Sequence, residues 1–347
     1  MRFFSYQNLS RSKWDGEIIN LLSQIHEHKG KQELFLTRKP AILNKLVDIA
    51  KIQSVADSNR IEGIVTTTVR IKELMNQKTT PMNRDEEEIL GYRDVLNTIH
   101  ESYEYIPINS NYILQLHRDL FKYSEKGIGG RYKNTQNSIV EKDENGNTIE
   151  RFKPLSSYET PSAIEKICNE LNIAFDKKDL DSLLLIPIFI HDFLCIHPFN
   201  DGNGRMSRLL TTLLLYKQGY VIGKYISLES KIEKNKDSYY IALEKSGLGW
   251  HENKEDPVPF IKYILRIILS AYIDFEERVD YIDKKVPTIE LVRNVIDSKL
   301  GKFTKSDMME LVPSVGKATI ENILKKLTEE GYIERHGKGR ATFYVKK

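Results

Sequence analysis

The chain of 347 residues is longer than a single hydrophobic core usually organises, so two or three domains are expected. Hydrophobic residues make up 40% and charged residues 29% of the sequence, which is typical of folded rather than disordered chains. The longest apolar stretch, 183–190, is far shorter than the roughly 20 residues of a membrane-spanning helix. With two cysteines and no apolar secretory signal, the sequence predicts a cytoplasmic protein without a membrane span, a disulfide framework or a structural zinc site.

Helical periodicity dominates the first 283 residues. Pro40 suits the first position of a helix, and apolar residues recur after it at intervals of three and four. This pattern predicts a helix that runs to Glu62 and ends at Gly63. The acidic run 85–88 then indicates the start of another helix.

One stretch departs from the helical pattern. Within 131–152, two short segments rich in β-branched residues flank Asn145-Gly146, a dipeptide that strongly favours a tight β-turn. The sequence therefore predicts an exposed β-hairpin with a function beyond packing. A bare connecting loop is the alternative.

The C-terminal segment, 286–347, follows a predicted linker at 284–287 and carries the excess positive charge. It contains 12 Lys and Arg against 8 Asp and Glu, whereas the remaining residues contain 40 against 41. A basic segment makes nucleic acid a candidate partner. The periodicity predicts the helix and strand order of a winged helix-turn-helix, with elements at 289–300, 305–311, 315–330, 332–335 and 342–345.

Two functions are open for this winged helix. If it binds DNA, its third helix would face the major groove and its wing would contact phosphates. Because the excess of charge is modest, dimerisation or docking of another protein is the alternative. The residues that would contact DNA are Thr319, Asn322, Lys326, Arg335, Lys338 and Arg340.

The most informative segment is HPFNDGNGRMSR at 197–208. An apolar helix precedes it and apolar residues at helical spacing follow it, so the segment forms a tight loop that opens a helix. Gly202 and Gly204 let the backbone approach a ligand closely, and the free N–H groups of a first helical turn favour phosphate. Arg205 and Arg208 lie three residues apart on one helix face and suit bidentate contacts with the same anion.

Two further side chains of this segment suggest catalysis. Asp201 offers a hard oxygen ligand, which Mg²⁺ commonly takes together with substrate phosphates. His197 lies just upstream and has an unperturbed pKa near roughly 6.5, which suits proton abstraction at cellular pH. The residues alone therefore predict a nucleotide-using transferase with a histidine base.

The segment resembles the signature HPFx(D/E)GNGRxxR of the Fic family (filamentation induced by cAMP) and matches it at every fixed position. The resemblance covers most of 85–250. Within this range, residues 130–132 lead into the hairpin in the way that the family's target-docking flap begins. It implies a mainly α protein. The domains expected are an N-terminal helical region with an inhibitory helix (1–84), a Fic core with a β-hairpin flap (85–283) and the winged helix (286–347).

The resemblance also implies an activity, the transfer of AMP from ATP to a Ser, Thr or Tyr hydroxyl of a protein, including itself. In this interpretation His197 accepts the hydroxyl proton, and Asp201 holds Mg²⁺ against the α- and β-phosphates. The segment 239–243 is similar to the one that encloses adenine in the family. The expected ATP-binding residues are Gly202, Asn203, Gly204, Arg205, Arg208, Tyr239 and Tyr240, with the Asn203 side chain assisting the anion hole. A core position is the alternative for these two tyrosines, because adjacent helical residues cannot both face one pocket.

A second sequence pattern resembles the one that inhibits AMP transfer in the family. Residues 58–63 fit the family's inhibitory pattern of Ser or Thr, three variable residues, Glu, and then Gly or Asn. Ser58 and Glu62 are four residues apart on one helix, so both can face the same site. The resemblance implies that Glu62 pairs with Arg208 and occupies the space of the γ-phosphate. The alternative is a helix-end carboxylate on a solvated surface.

Three functions remain open from the sequence. The first is an auto-inhibited, Mg²⁺-dependent protein adenylyltransferase. The second uses the same site to remove AMP from modified proteins, with Glu62 orienting a water molecule. The third is a DNA-binding regulator whose Fic core senses nucleotide. The expected partners are ATP, Mg²⁺, a target protein, DNA at 286–347 and a second copy in a homodimer.

Overall fold

The computed structural model describes residues 3–7, 9, 13–38, 40–142, 148–283, 287–298, 301–312 and 315–346. The described residues form fourteen α-helices and two separate two-stranded antiparallel sheets, which confirms the mainly α class. None of the helices in these ranges is both long and apolar enough to cross a membrane. Three predicted features lie outside the described residues. They are the Asn145-Gly146 turn, residues 284–286 of the linker and the side chain of Arg340.

The helices and strands are numbered in chain order. In order they are α1 (Gly16–Arg38), α2 (Pro40–Ile61), α3 (Thr68–Met75), α4 (Arg84–Ser102), α5 (Ser110–Leu120), β1 (Ile139–Lys142), β2 (Thr148–Phe152), α6 (Thr160–Lys177), α7 (Ser182–Ile196), α8 (Asn203–Lys217), α9 (Leu228–Lys234), α10 (Lys236–Gly247), α11 (Val258–Asp283), α12 (Thr288–Ser298), α13 (Lys305–Leu311), α14 (Lys317–Glu329), β3 (Ile333–His336) and β4 (Phe343–Lys346).

The helix ends follow the local signals of the sequence. α2 starts at Pro40 and ends one residue before Glu62, and Gly63 adopts a left-handed backbone with φ of 78° that stops the helix. The side chain of Asn83 caps α4 by accepting a hydrogen bond from the N–H of Glu86. The strands β1 and β2 pair antiparallel, as predicted for the hairpin.

Two hydrophobic clusters form the interior. The larger cluster draws on α1 to α11 and has α7 at its centre, where every residue except Ser182 and Leu194 is buried. α7 packs against α6, α8 and α11, so the loop that follows it starts from a rigid base. The smaller cluster joins α12, α13, α14 and β3, the elements predicted for the C-terminal segment.

Candidate active site

The loop 197–202 joins the central helix α7 to α8. His197 ends α7 with φ of 52°, a left-handed backbone uncommon in residues other than glycine, and Gly202 precedes α8 with φ of 84°. The sharp reversal brings His197 and the first turn of α8 to one cavity of about 480 Å³. Its lining includes Glu62, His197, Gly204, Arg208, Tyr239 and Tyr240.

The side chain of Asn203 fixes the shape of this loop. Its Oδ1 accepts a hydrogen bond from the N–H of Phe199 at 2.9 Å, and its Nδ2 donates to the carbonyl of Phe199 at 2.8 Å. Phe199 is fully buried and stacks on His117 with 3.7 Å between ring centroids. The structure therefore gives the Asn203 side chain a different task from the anion contact predicted for it, while its backbone stays at the N-terminus of α8.

Two buried residues that the sequence analysis did not select also support the loop. The N–H of Gly130 donates to Nδ1 of His117, so the proton of this neutral ring lies on Nε2, which donates to the carbonyl of Asp201 at 3.0 Å. Burial lowers the pKa of His117 to about 4, so the ring is neutral at pH 7. The ammonium group of Lys133 donates to the carbonyl of Ile196 at 2.9 Å.

His197 has the environment of a general base. Its Nδ1 lies 3.3 Å from the carbonyl of Leu194, which can only accept a hydrogen bond, so Nδ1 carries the proton and Nε2 is left as the basic nitrogen. Burial, reinforced by the charge of Lys133, lowers the pKa of His197 to about 4. The imidazole is therefore neutral at pH 7 and able to accept a proton.

Glu62 reaches the same cavity from the end of α2, and the buried Ser58 of α2 contacts Arg208 behind it. Nη2 of Arg208 donates to Oε1 of Glu62 at 2.8 Å and to the carbonyl of Ser58 at 2.9 Å, and Nε donates to Oγ of Ser58 at 2.8 Å. A Cβ placed on Gly204 would lie only 2.2 Å from the same Glu62 oxygen, so the carboxylate rests directly on the first turn of α8. Glu62 thus occupies the anion-binding end of this helix.

The second arginine of the motif takes part in a different cluster. Nη2 of Arg205 lies 2.7 Å from Oε2 of Glu88 and 3.5 Å from Oδ1 of Asp201. Arg205 is only 1% exposed and is not part of the cavity lining that includes Arg208. The sequence predicted both arginines beside one anion, whereas here they hold separate carboxylates. The acidic run 85–88 predicted only a helix start, whereas Glu88 is buried.

The surroundings of Asp201 indicate whether its carboxylate could bind a metal ion. Burial raises its pKa, but the hydrogen bond from Lys126 and the charge of Arg205 outweigh burial, so the pKa lies below its usual range and the carboxylate is ionised. No group of three or more His, Cys, Asp or Glu in the described ranges is arranged to hold a metal. Mg²⁺ commonly binds through one or two carboxylates, water and substrate phosphates, and the half-exposed Asp201 fits such a site.

The two tyrosines of α10 both line the cavity, so the sequence argument that adjacent residues cannot share a pocket is wrong here. Tyr239 is 4% exposed and packs against Phe260, while Tyr240 is half-buried. Their rings lie 5.4 Å apart and are tilted by 70°, so together they make one wall. Ile139 and Phe152 of the hairpin β1–β2 also contribute to the lining.

The chain is similar to curated proteins over part of its length. It is 25% identical over 246 residues to the protein adenylyltransferase Fic of Nematostella vectensis, covering 67% of this chain and 51% of that protein. It is 27% identical over 190 residues to the protein adenylyltransferase fic-1 of Caenorhabditis elegans, covering 53% of this chain and 32% of that protein. The chain thus spans about half of the first relative and about a third of the second.

Family and structural comparisons agree with this similarity. A Fic family protein from Desulfovibrio desulfuricans matches with a TM-score of 0.61 at 21% identity and covers 97% of both chains. A Fic-domain signalling protein from Bacteroides thetaiotaomicron has the same TM-score at 25% identity, covering 75% of this chain and 95% of that one. The model of the Fic/DOC family matches residues 107–215. The chain therefore carries a Fic domain within these residues.

Proposed function

We propose that this chain is a protein adenylyltransferase that moves AMP from ATP to a Ser, Thr or Tyr hydroxyl of a protein, including itself. The names of its relatives support the reaction class. The observation that carries the proposal is the contact of Glu62 with Arg208 and Gly204 beside the neutral His197 in one cavity. A base, an anion-binding helix end and an internal anion that competes for that end are the parts such a regulated enzyme needs.

The proposed reaction uses these groups as follows. The hydroxyl oxygen of the target bonds to the α-phosphorus of ATP, the bond from that phosphorus to the bridging oxygen breaks, and pyrophosphate leaves. Nε2 of His197 takes the hydroxyl proton. The first-turn N–H groups of α8 stabilise the charge that develops on the phosphate oxygens, and Arg208 binds the terminal phosphates once Glu62 has left.

Asp201 would hold Mg²⁺ in this reaction. When bound, the metal ion neutralises phosphate charge and favours departure of pyrophosphate. The half-exposed, ionised carboxylate of Asp201 beside the first turn of α8 supports this assignment.

Removal of AMP is a second candidate function of the same site. Its support is that Glu62 keeps 32% of its side chain exposed and lines the cavity together with His197. A carboxylate in that place could accept a hydrogen bond from a water molecule that attacks the AMP group. Both directions use His197, so assays of transfer and removal belong on the same sample.

Loss of the base tests the proposed mechanism. In a Glu62→Gly background, His197→Ala should reduce AMP incorporation from ATP labelled at the α-phosphate by about 10²–10⁴-fold, because general-base loss has that effect. Binding of ATP to the same variant should stay close to that of the parent. The control is His336→Ala, which removes an exposed histidine of β3 far along the chain. Equal labelling of the His197→Ala protein and its parent would contradict the mechanism.

A further inference from the structure

A lysine already neutralises the carboxylate that the proposed reaction needs for a metal ion. Nζ of Lys126 lies 2.5 Å from Oδ2 of Asp201 and 3.1 Å from Oε1 of Glu88. The lysine comes from the segment after α5, whereas Asp201 belongs to the catalytic loop and Glu88 to α4. Neither sequence spacing nor the motif predicts this contact.

Glu88 gives Lys126 a second binding position. Its side chain is only 1% exposed, accepts hydrogen bonds from Arg84 at 2.9 Å and from Lys126 at 3.1 Å, and forms an ion pair with Arg205 at 2.7 Å. A buried carboxylate with three cationic neighbours remains neutralised when one of them moves. Lys126 can therefore leave Asp201 and keep its contact with Glu88 without becoming a buried unpaired charge.

The charges around Asp201 oppose a bare divalent cation. Two carboxylates, Asp201 and Glu88, face the three positive groups of Arg84, Lys126 and Arg205 within 4.0 Å. The local balance is positive, so a metal ion gains little by entering alone. In addition, Nε and Nη1 of buried Arg205 have no partner among the described residues, and these donors suit an incoming phosphate.

We propose that Lys126 is an internal counter-ion that pairs with Asp201 in the resting protein and keeps only its contact with Glu88 when a divalent metal ion binds. The ammonium group and the metal ion compete for the same carboxylate oxygens, so Lys126 sets the affinity of the site for metal. The entry of nucleotide phosphates with the metal shifts the local charge balance and favours the exchange. This inference rests on the role of Asp201 in the proposed function.

Metal binding without nucleotide tests the exchange directly. The full-length protein is titrated with Mn²⁺, and free Mn²⁺ is followed by electron paramagnetic resonance in the wild type, Lys126→Met and Lys126→Arg. Lys126→Met should bind Mn²⁺ at least about tenfold more tightly, because a positive charge next to the carboxylate is removed. Lys126→Arg keeps the charge and should resemble the wild type. Lys126→Ala serves as a second neutral variant if the methionine variant folds poorly.

Two controls assign the effect to Asp201. Lys122→Met removes a lysine four residues away that pairs with Asp94 instead, and it should leave Mn²⁺ affinity unchanged. Asp201→Asn should abolish the gain in the Lys126→Met protein. Equal or weaker Mn²⁺ binding in folded Lys126→Met, or a gain that survives Asp201→Asn, overturns the proposal. Because no AMP transfer is measured, a failed transferase assay does not affect this result.

Discussion

His197 combines a left-handed backbone, a partly buried side chain and a hydrogen bond to Leu194, and these features determine how it titrates. Burial disfavours the imidazolium and lowers the pKa of His197 to about 4, so the basic form persists until the pH approaches that value. An unperturbed histidine would instead lose its basic form below about 6.5. The pH at which the basic form is lost therefore distinguishes a histidine with a lowered pKa from a solvent-exposed one.

The pH dependence of the reaction follows from this shift. In the Glu62→Gly protein, kcat/KM for AMP transfer to a fixed target should stay nearly constant from pH 8 to about pH 5 and fall only near pH 4. The measurement is a pH–rate profile, with circular dichroism at each pH to show that the protein remains folded. An acidic limb centred near pH 6.5 would mean that the assigned base is exposed or that another group titrates.

At the residue scale, the sequence predicted the members of the motif but not their partners. His197 and Asp201 belong to one short segment, where spacing alone places them in a single loop. Glu88, Lys126 and Lys133 come from three other segments and are among the most frequent surface residue types. Only the packing of α4 and the segment after α5 against the loop reveals that these charges are held at the site.

At the element scale, the β1–β2 hairpin and most helix boundaries were predictable because caps and periodicity are local signals. The predicted helix at 315–330 is shorter in the structure, where Gly316 is extended and α14 starts at Lys317. The position of α2 could not be derived from its own pattern. Its last turn reaches α8 because α2 packs against α4 and α9, which are distant in sequence.

The C-terminal elements α12–α14 and β3–β4 keep the order predicted for a winged helix, and DNA binding by them stays a prediction. Thr319, Asn322 and Lys326 are exposed on α14, and Arg335 and Lys338 are exposed at the hairpin. Exposed acidic groups such as Glu321, which pairs with Lys305, reduce the local positive potential. The competing interpretation is a surface for protein docking or for a second copy of the chain.

Salt dependence distinguishes these interpretations. If the segment binds DNA, affinity should fall steeply with salt, and Arg335→Ala or Lys338→Ala should each lower the slope by about one, since each removes one phosphate contact. Lys254→Ala, at an exposed position before α11, should leave the slope unchanged. Fluorescence anisotropy with genomic fragments provides the measurement. Absence of binding to any fragment at low salt would favour docking or dimerisation.

At the scale of the whole molecule, the proposed control of the site uses residues outside the part matched by the family model. That match covers 107–215, whereas Ser58 lies in α2 and Glu62 directly follows this helix. The cavity is assembled from the end of α2, the hairpin, α7, α8 and α10, so the residues proposed for catalysis and for inhibition come from separate stretches of chain. Composition and periodicity could not predict that assembly, because they report local structure only.

In the proposed function, the contact between Glu62 and Arg208 would make inhibition competitive with ATP. One guanidinium cannot bind the carboxylate and the terminal phosphates in the same geometry. A charge-assisted hydrogen bond contributes about 1.5–3 kcal/mol, which corresponds to roughly 10–150-fold in productive ATP binding. Glu62→Gln keeps the shape of the side chain and loses its charge, so it should relieve inhibition less than Glu62→Gly does. Arg208→Ala should not relieve it, because the phosphate ligand is lost as well.

The most direct test of this account is AMP incorporation by wild type, Glu62→Gln and Glu62→Gly proteins over a range of ATP concentrations, with label at the α-phosphate. We predict that labelling of the protein itself and of added target rises in that order, by roughly 10–150-fold for Glu62→Gly at limiting ATP. Removal of AMP is measured on the same samples. If removal is the reaction that the protein carries out in the cell, the Glu62→Gly protein should no longer remove AMP. If Glu62→Gly transfers AMP no faster than the wild type at any ATP concentration, Glu62 is an ordinary helix-end carboxylate and the proposed control is wrong.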